Sequence, residues 1–301
     1  MIRIGLFLVT NIAVMAVIAV VTKILGVDKW LTHQGLNYQA LLVFSLVVGF
    51  AGSIISLLIS KFMAKMAYKI KTIDPEHPQN ENERWLANTV STLAHDASIP
   101  MPELGVYESP EVNAFATGPS KRNSIVAVSS ALLSQMNRRE TQGVLAHEVS
   151  HISNGDMITM VLLQGILNTF VVFLSRVAGF LIDSAMSKGR DGESRGGGGI
   201  GYFISVFVCQ MIFSVLASII VMWFSRHREY KADASAAKLC GKQPMIEGLE
   251  KLRSIVEGKY FVDERGQSLN TFKISGKSAM LALFSTHPPL EKRIEALRQI
   301  P

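Results

Sequence analysis

Residues 140–154 read Glu140-Thr-Gln-Gly-Val-Leu-Ala-His147-Glu148-Val-Ser-His151-Ile-Ser-Asn154. On a helix, His147 and His151 lie one turn apart on the same face, so their imidazoles can bind one metal ion. Glu148 points aside and can reach a water on that metal without being a ligand. This is the spacing of a zinc hydrolase helix. So short a motif also arises by coincidence, and the flanking sequence decides.

Upstream, residues 72–156 read as soluble. Asp74-Pro-Glu-His-Pro is a turn, and Trp85, Leu86, Val90 and Leu93 give residues 81–97 a helical period. Residues 103–107 and 124–128 read as short strands, and Asn113-Ala-Phe-Ala-Thr-Gly118 as a third, ended by Gly118-Pro119. A helix starts within 130–136, and Gly155-Asp156 ends or bends the histidine helix.

Further out the chain turns apolar. Residues 4–21 carry no charge, and a second run centres on 41–59. A third covers 157–175, with Arg176 at its far end, and a fourth covers 202–225, ending at Arg226-His-Arg228. Each is long enough to span a bilayer. A cleaved signal peptide fits residues 4–21 less well, because the only small-residue spacings lie inside the run and a second run follows soon. Residues 188–201 are Gly-rich and charged, the composition of a flexible loop. Beyond the fourth run, residues 229–239, 242–258 and 291–299 have helical patterns.

Composition agrees with a membrane protein: 49% of the 301 residues are hydrophobic, and mean hydropathy is +0.28. The net charge of +6 fits a membrane surface better than nucleic acid, because the positives cluster beside the apolar runs and no nucleic-acid recognition module is present. Lys61, Lys65 and Lys69 make a basic stripe on a helix leaving the second run. With four spans, Arg3, the Lys61–Lys71 cluster, Arg226, Arg228 and Lys231 fall on one side, and the positive-inside rule makes that side cytoplasmic. The opposite side holds residues 23–33 and the Gly-rich loop, whose positives are offset by Asp183, Asp191 and Glu193. Cys209 and Cys240 imply neither a disulfide framework nor a zinc site.

A catalytic zinc needs a third protein ligand and an open position. Asp156, His227, Glu229, Asp233 and His287 are candidates, and spacing alone does not choose among them. In Glu229-Tyr-Lys-Ala-Asp233 the two carboxylates share a helix face, so one can bind the metal while the other accepts the outer N–H of a metal-bound histidine. A surface acidic pair answering Arg226, Arg228 and Lys231 is the competing reading.

Four segments in order carry a resemblance: Asn113-Ala-Phe-Ala, His147-Glu-x-x-His151 running through Asn154-Gly-Asp156 into an apolar span, Ser225-Arg-His-Arg-Glu-Tyr-Lys-Ala-Asp233, and Thr286-His-Pro-Pro-Leu-Glu-Lys-Arg293. Together they resemble the HtpX family of bacterial membrane-integrated zinc metallopeptidases, relatives of the CAAX prenyl endopeptidases, over essentially the whole chain. The resemblance implies a mainly α-helical membrane protein with four transmembrane helices and a cytoplasmic α+β, zincin-like catalytic domain built on a small sheet. It implies one zinc per chain, held by His147, His151 and Glu229, with Glu148 as the catalytic base and Asp233 orienting a zinc-bound histidine. Asn113, Ala114 and Phe115 become the edge strand along which a peptide lies. His287 and Arg293 stabilise the oxyanion or fix the last helix, and Asp156 ends the helix or supports a ligand.

The expected organisation is two spans in 1–60, a catalytic segment with the zinc helix in 61–156, two further spans with the Gly-rich loop in 157–226, and a second catalytic segment in 227–301. The implied setting is the bacterial inner membrane. The implied partners are the lipid bilayer and damaged or misassembled membrane proteins, in a stress-response, quality-control role. Two other readings compete: an intramembrane-cleaving zinc protease, disfavoured by Glu140, Gln142 and Asn154 on the motif helix, and a non-catalytic, zinc-clamped membrane scaffold.

Overall fold

Asn137 decides where the histidine helix begins. Its side chain accepts from the backbone N–H groups of Arg139 and Glu140, each at 2.9 Å, while Glu140 accepts from the Asn137 N–H at 2.8 Å. This reciprocal cap satisfies donors that a helix start otherwise leaves open. The computed structural model describes residues 31–32, 35–187, 200–262 and 287–300. The expected span at 4–21 and most of the Gly-rich loop lie outside them.

The described elements, in order, are β1 (Leu31–Thr32), β2 (Gly35–Leu36), α1 (Tyr38–Tyr68), β3 (Lys71–Ile73), α2 (Glu81–Asp96), β4 (Glu103–Tyr107), β5 (Ala114–Ser120), β6 (Asn123–Ser129), α3 (Ser130–Gln135), α4 (Arg138–Asn154), α5 (Asp156–Ser187), α6 (Ile200–Cys240), α7 (Lys242–Val262) and α8 (Leu290–Gln299). Among the described residues three helices, α1, α5 and α6, are long and apolar enough to cross a membrane. The described residues group into two compact units, one within Met1–Ser56 and Met160–Val221, the other within Leu57–Thr159 and Met222–Pro301.

In the first unit, helices approach through small residues. Leu41, Ser45, Gly49 and Ser53 form one buried line along α1. A Cβ on Gly49 would stand 2.5 Å from the Thr169 backbone nitrogen, so only glycine admits α5 there. Such small-residue lines let membrane helices pack closely. Large apolar side chains such as Leu46, Phe170, Phe207 and Met211 point outward.

The second unit is built on a sheet of order β3-β4-β6-β5. The β4–β6 pair is parallel, and its neighbours β3 and β5 are antiparallel. Alternation gives the sheet two faces. Leu104, Val126 and Val128 join a core with Leu86 and Val90 of α2, Leu145 and Val149 of α4, Leu249 of α7 and Leu297 of α8. Tyr107, Ile125 and Ala127 point to the other face, against Ala64 near the end of α1. Helices α4 and α7 meet backbone to backbone. A Cβ on Gly143 would lie 2.3 Å from the Pro244 carbonyl oxygen, and one on Gly248 would lie 2.9 Å from that of Glu140.

Several local expectations need correction. The basic stripe ends at Lys65, because Lys69 lies beyond α1 with a left-handed backbone, φ 50°. Lys61 and Lys65 both bind Glu103 of β4, Lys61 at 2.7 Å. Strand β3 was not anticipated, since three residues carry no periodicity. Strand β5 runs past Pro119 to Ser120, across a register irregularity after Thr117. The fourth apolar run and the helix expected from Glu229 are one element, α6. Residues 202–240 contain no Gly or Pro, so polarity changes at Arg226 while the backbone continues until Gly241, φ 86°.

Candidate metal centre

Helix α4 presents His147 and His151 with their Nε2 atoms 3.1 Å apart. Helix α6 brings in Glu229, with Oε2 3.4 Å from His147 Nε2 and Oε1 3.4 Å from His151 Nε2. Tetrahedral zinc with bonds of about 2.0–2.1 Å sets its donor atoms about 3.3 Å apart, close to these separations, although each histidine faces a different oxygen of Glu229. One donor atom from each of the three residues falls within 4.8 Å of the others. Glu229 and His147 are buried, at 2% and 7% exposure. Glu229 Oε2 lies 3.0–3.4 Å from His287 Nδ1, a terminal nitrogen of Arg293 and His147 Nε2, yet makes no well-directed hydrogen bond among the described residues. A buried carboxylate oxygen of this kind suits a metal. The donor set therefore fits a metal ion.

Each imidazole is held from behind. His147 Nδ1 is 2.9 Å from Asp233 Oδ1, and His151 Nδ1 is 2.6 Å from Asp156 Oδ2. Donating Nδ1–H to a carboxylate leaves the Nε2 lone pair facing the centre. The Asp156 contact depends on Gly155. Its left-handed backbone, φ 70°, ends α4 and restarts a helix at once, which puts Asp156 one turn beyond His151. Arg228 donates to the Asp156 carbonyl at 3.1 Å.

Arg293 of α8 is buried behind the centre. Its Nε and one terminal nitrogen donate to the two oxygens of Asp233 at 2.8 and 2.6 Å, and its other terminal nitrogen lies 3.2 Å from Glu229 Oε2. It also stands 3.4 Å from both His147 ring nitrogens, but the shorter Asp233 contact decides the ring's orientation. His287, exposed just ahead of α8, places Nδ1 3.0 Å from Glu229 Oε2. Glu148 is half-buried next to the histidines, and its charge acts on both His151 and Arg293. Ala114 and Phe115 lie in β5, the sheet's edge strand, and Asn113 directly precedes it.

Burial weakens proton binding at His151, but the Asp156 and Glu229 carboxylates outweigh it and push the pKa up to about 10. At His147 burial acts the same way, and Asp233 with Glu229 raises the pKa despite it. A metal must displace these protons, so its affinity rises with pH. Asp156→Ala should lower metal affinity about 10–100-fold, as measured by chelator competition. The loss should be larger at pH 9 than at pH 7, because the wild-type imidazole carries more proton competition at the lower pH. An unchanged affinity at both pH values would remove Asp156 from the centre.

The sequence reading left two placements open that matter here. Asp233 serves His147 while Asp156 serves His151, a division set by the turn at Gly155. Arg293 binds Asp233 and Glu229 together, and only its place in the His-Pro-Pro-containing segment marked it beforehand. Arg228 was expected only as a charge beside the fourth apolar run or an answer to the acidic pair, and its contact with Asp156 was not foreseen.

Comparison with known proteins adds a relationship. Residues 80–301 match the family model of peptidase family M48. The chain is 55% identical over 301 residues to a protease HtpX homolog of Methylacidiphilum infernorum, covering 99% of both chains. It is 51% identical to a protease HtpX homolog of Herminiimonas arsenicoxydans, again over 99% of each. In fold it is similar to the crystal structure of S. mikatae Ste24p, with a TM-score of 0.60 at 19% identity over 86% of this chain. The chain spans 58% of that protein's length.

Proposed function

The chain belongs to peptidase family M48, among its HtpX proteases, and from that premise we propose that this membrane metalloprotease is a zinc-dependent endopeptidase. The observation that carries the reading is the convergence of His147, His151 and Glu229 next to the half-buried Glu148. These three residues would hold the zinc. When bound, zinc supplies a water with a pKa near about 7 and a Lewis acid for the scissile carbonyl. Glu148 takes the proton of the attacking water on its carboxylate and passes it to the leaving amine. Asp233 and Asp156 keep both imidazoles in the ligating tautomer. Arg293 is a positioning residue, because it fixes Asp233 and Glu229. His287 is exposed at the rim of the centre and is the better placed of the two to donate to an oxyanion. An extended substrate lies along the Asn113–Phe115 segment by strand addition.

The proposed setting is the bacterial inner membrane, with four spans, including residues 4–21, and the catalytic parts in the cytoplasm. The Lys and Arg excess beside the spans supports this orientation. The four segments 1–60, 61–156, 157–226 and 227–301 follow from it. Because α4 leads through Gly155 directly into α5, the site belongs at the membrane surface, and the ends of spans or the loops between them are the natural targets. Damaged or misassembled membrane proteins are the proposed substrates. The purified, zinc-loaded protein should cleave an unfolded model membrane protein, stop on chelation, and recover when zinc is restored. Cleavage that persists in chelator would overturn the zinc reading.

A further inference from the structure

Strand β5 closes the sheet, and its outer edge has no partner strand among the described residues. The Ser129 N–H donates to the Asn113 carbonyl at 2.9 Å, and Phe115 is registered on Ala127. Antiparallel alternation therefore turns the N–H and C=O of Ala114 and Ala116 toward the free edge. Their side chains pack on the face shared with α4, whereas Phe115 points to the opposite face.

On that face Phe115 meets Tyr68, the last residue of α1, with ring centroids 5.2 Å apart. Tyr107 of β4 lies beneath both, at 5.1 Å from Tyr68 and 5.7 Å from Phe115. Tyr107 is buried, but Tyr68 is 42% exposed and Phe115 is half-buried. The cluster is thus closed below and open beside the edge of β5. The Lys61 and Lys65 ion pairs to Glu103 hold the end of α1 against this face.

We propose that Tyr68 and Phe115 form an aromatic subsite for one apolar side chain of the substrate. The inference rests on the proteolytic reading above and adds a substrate preference to it. A strand bonded to Ala114 and Ala116 places the residue opposite Phe115 on the Tyr68 face, with its Cβ about 4.5–5.5 Å from that of Phe115. An aromatic or branched apolar side chain there stacks on Phe115 and covers Tyr68. A carboxylate there would lose hydration to the rings. The preferred substrate is an extended segment with one apolar residue fixed in register.

The test uses the full-length, zinc-loaded protein and a fluorogenic peptide taken from a segment that it cleaves. Each position near the scissile bond is changed in turn to Phe, Leu, Ala or Asp. The wild type should show one position where Phe and Leu exceed Ala and Asp about tenfold or more in kcat/KM. Tyr68→Ala and Phe115→Ala should each collapse that ratio while the Ala peptide is still cut, and Phe115→Leu should keep most of it. The ratio is taken within one variant, so a reduced folded fraction cancels. A preference that is absent in the wild type, or undiminished in both alanine variants, overturns the subsite. If the wild type cleaves neither peptides nor an unfolded membrane protein, the protease reading fails first and the subsite falls with it.

Discussion

Glu148→Gln should keep its zinc and lose peptide cleavage, by about 10²–10⁴-fold in kcat. The amide has the shape of the carboxylate but cannot take a proton from water at neutral pH. Glu148 is not one of the three converging donors, so the centre itself should stay intact. Zinc content and turnover, measured on the same purified sample, separate the two effects. Retained cleavage by a fully loaded Glu148→Gln protein would sink the mechanism. A variant that lost its zinc would instead show that Glu148 supports the ligands.

Glu229→Ala should abolish stoichiometric zinc binding and lower stability as well. Glu229 is the donor that α6 contributes, and it lies 3.2 Å from the buried Arg293. Its removal leaves two histidine donors and deprives a buried guanidinium of one carboxylate. Breaking a buried ion pair typically costs about 3–5 kcal/mol, and Asp233 keeps the loss toward the lower end by retaining its two hydrogen bonds to Arg293. Metal analysis together with thermal unfolding of the metal-free protein checks both parts. Zinc that remained stoichiometric would place the third ligand elsewhere.

The parts of this chain that were legible beforehand obey a local rule. His147 and His151 share a face because of helical spacing, and the three candidate membrane helices among the described residues, α1, α5 and α6, show themselves by length and apolarity. The caps of α2 and α4 at Asn80 and Asn137 follow a local rule too, though the sequence reading did not draw on it. What spacing could not supply depends on distant parts of the chain. Five residues competed for the third ligand position until resemblance selected Glu229, and the fold then placed that residue among the histidines. The partner of each imidazole depends on one left-handed residue, Gly155. The helix carrying Glu229 is continuous with the fourth apolar run, which the change in polarity at Arg226 concealed. Lys69 looked like part of a basic stripe because spacing cannot locate the end of a helix. The close approach of α4 and α7 at Gly143 and Gly248 had no sequence signal beyond two glycines in helical patterns.

The central claim is an open metal centre of three protein donors. A crystal structure of the zinc-loaded protein with anomalous data at the zinc edge tests it most directly. The expected result is one zinc per chain bound by His147, His151 and Glu229, with a remaining position facing Glu148 and open to water. A zinc closed by a fourth protein ligand, or one that does not touch Glu229, would contradict it.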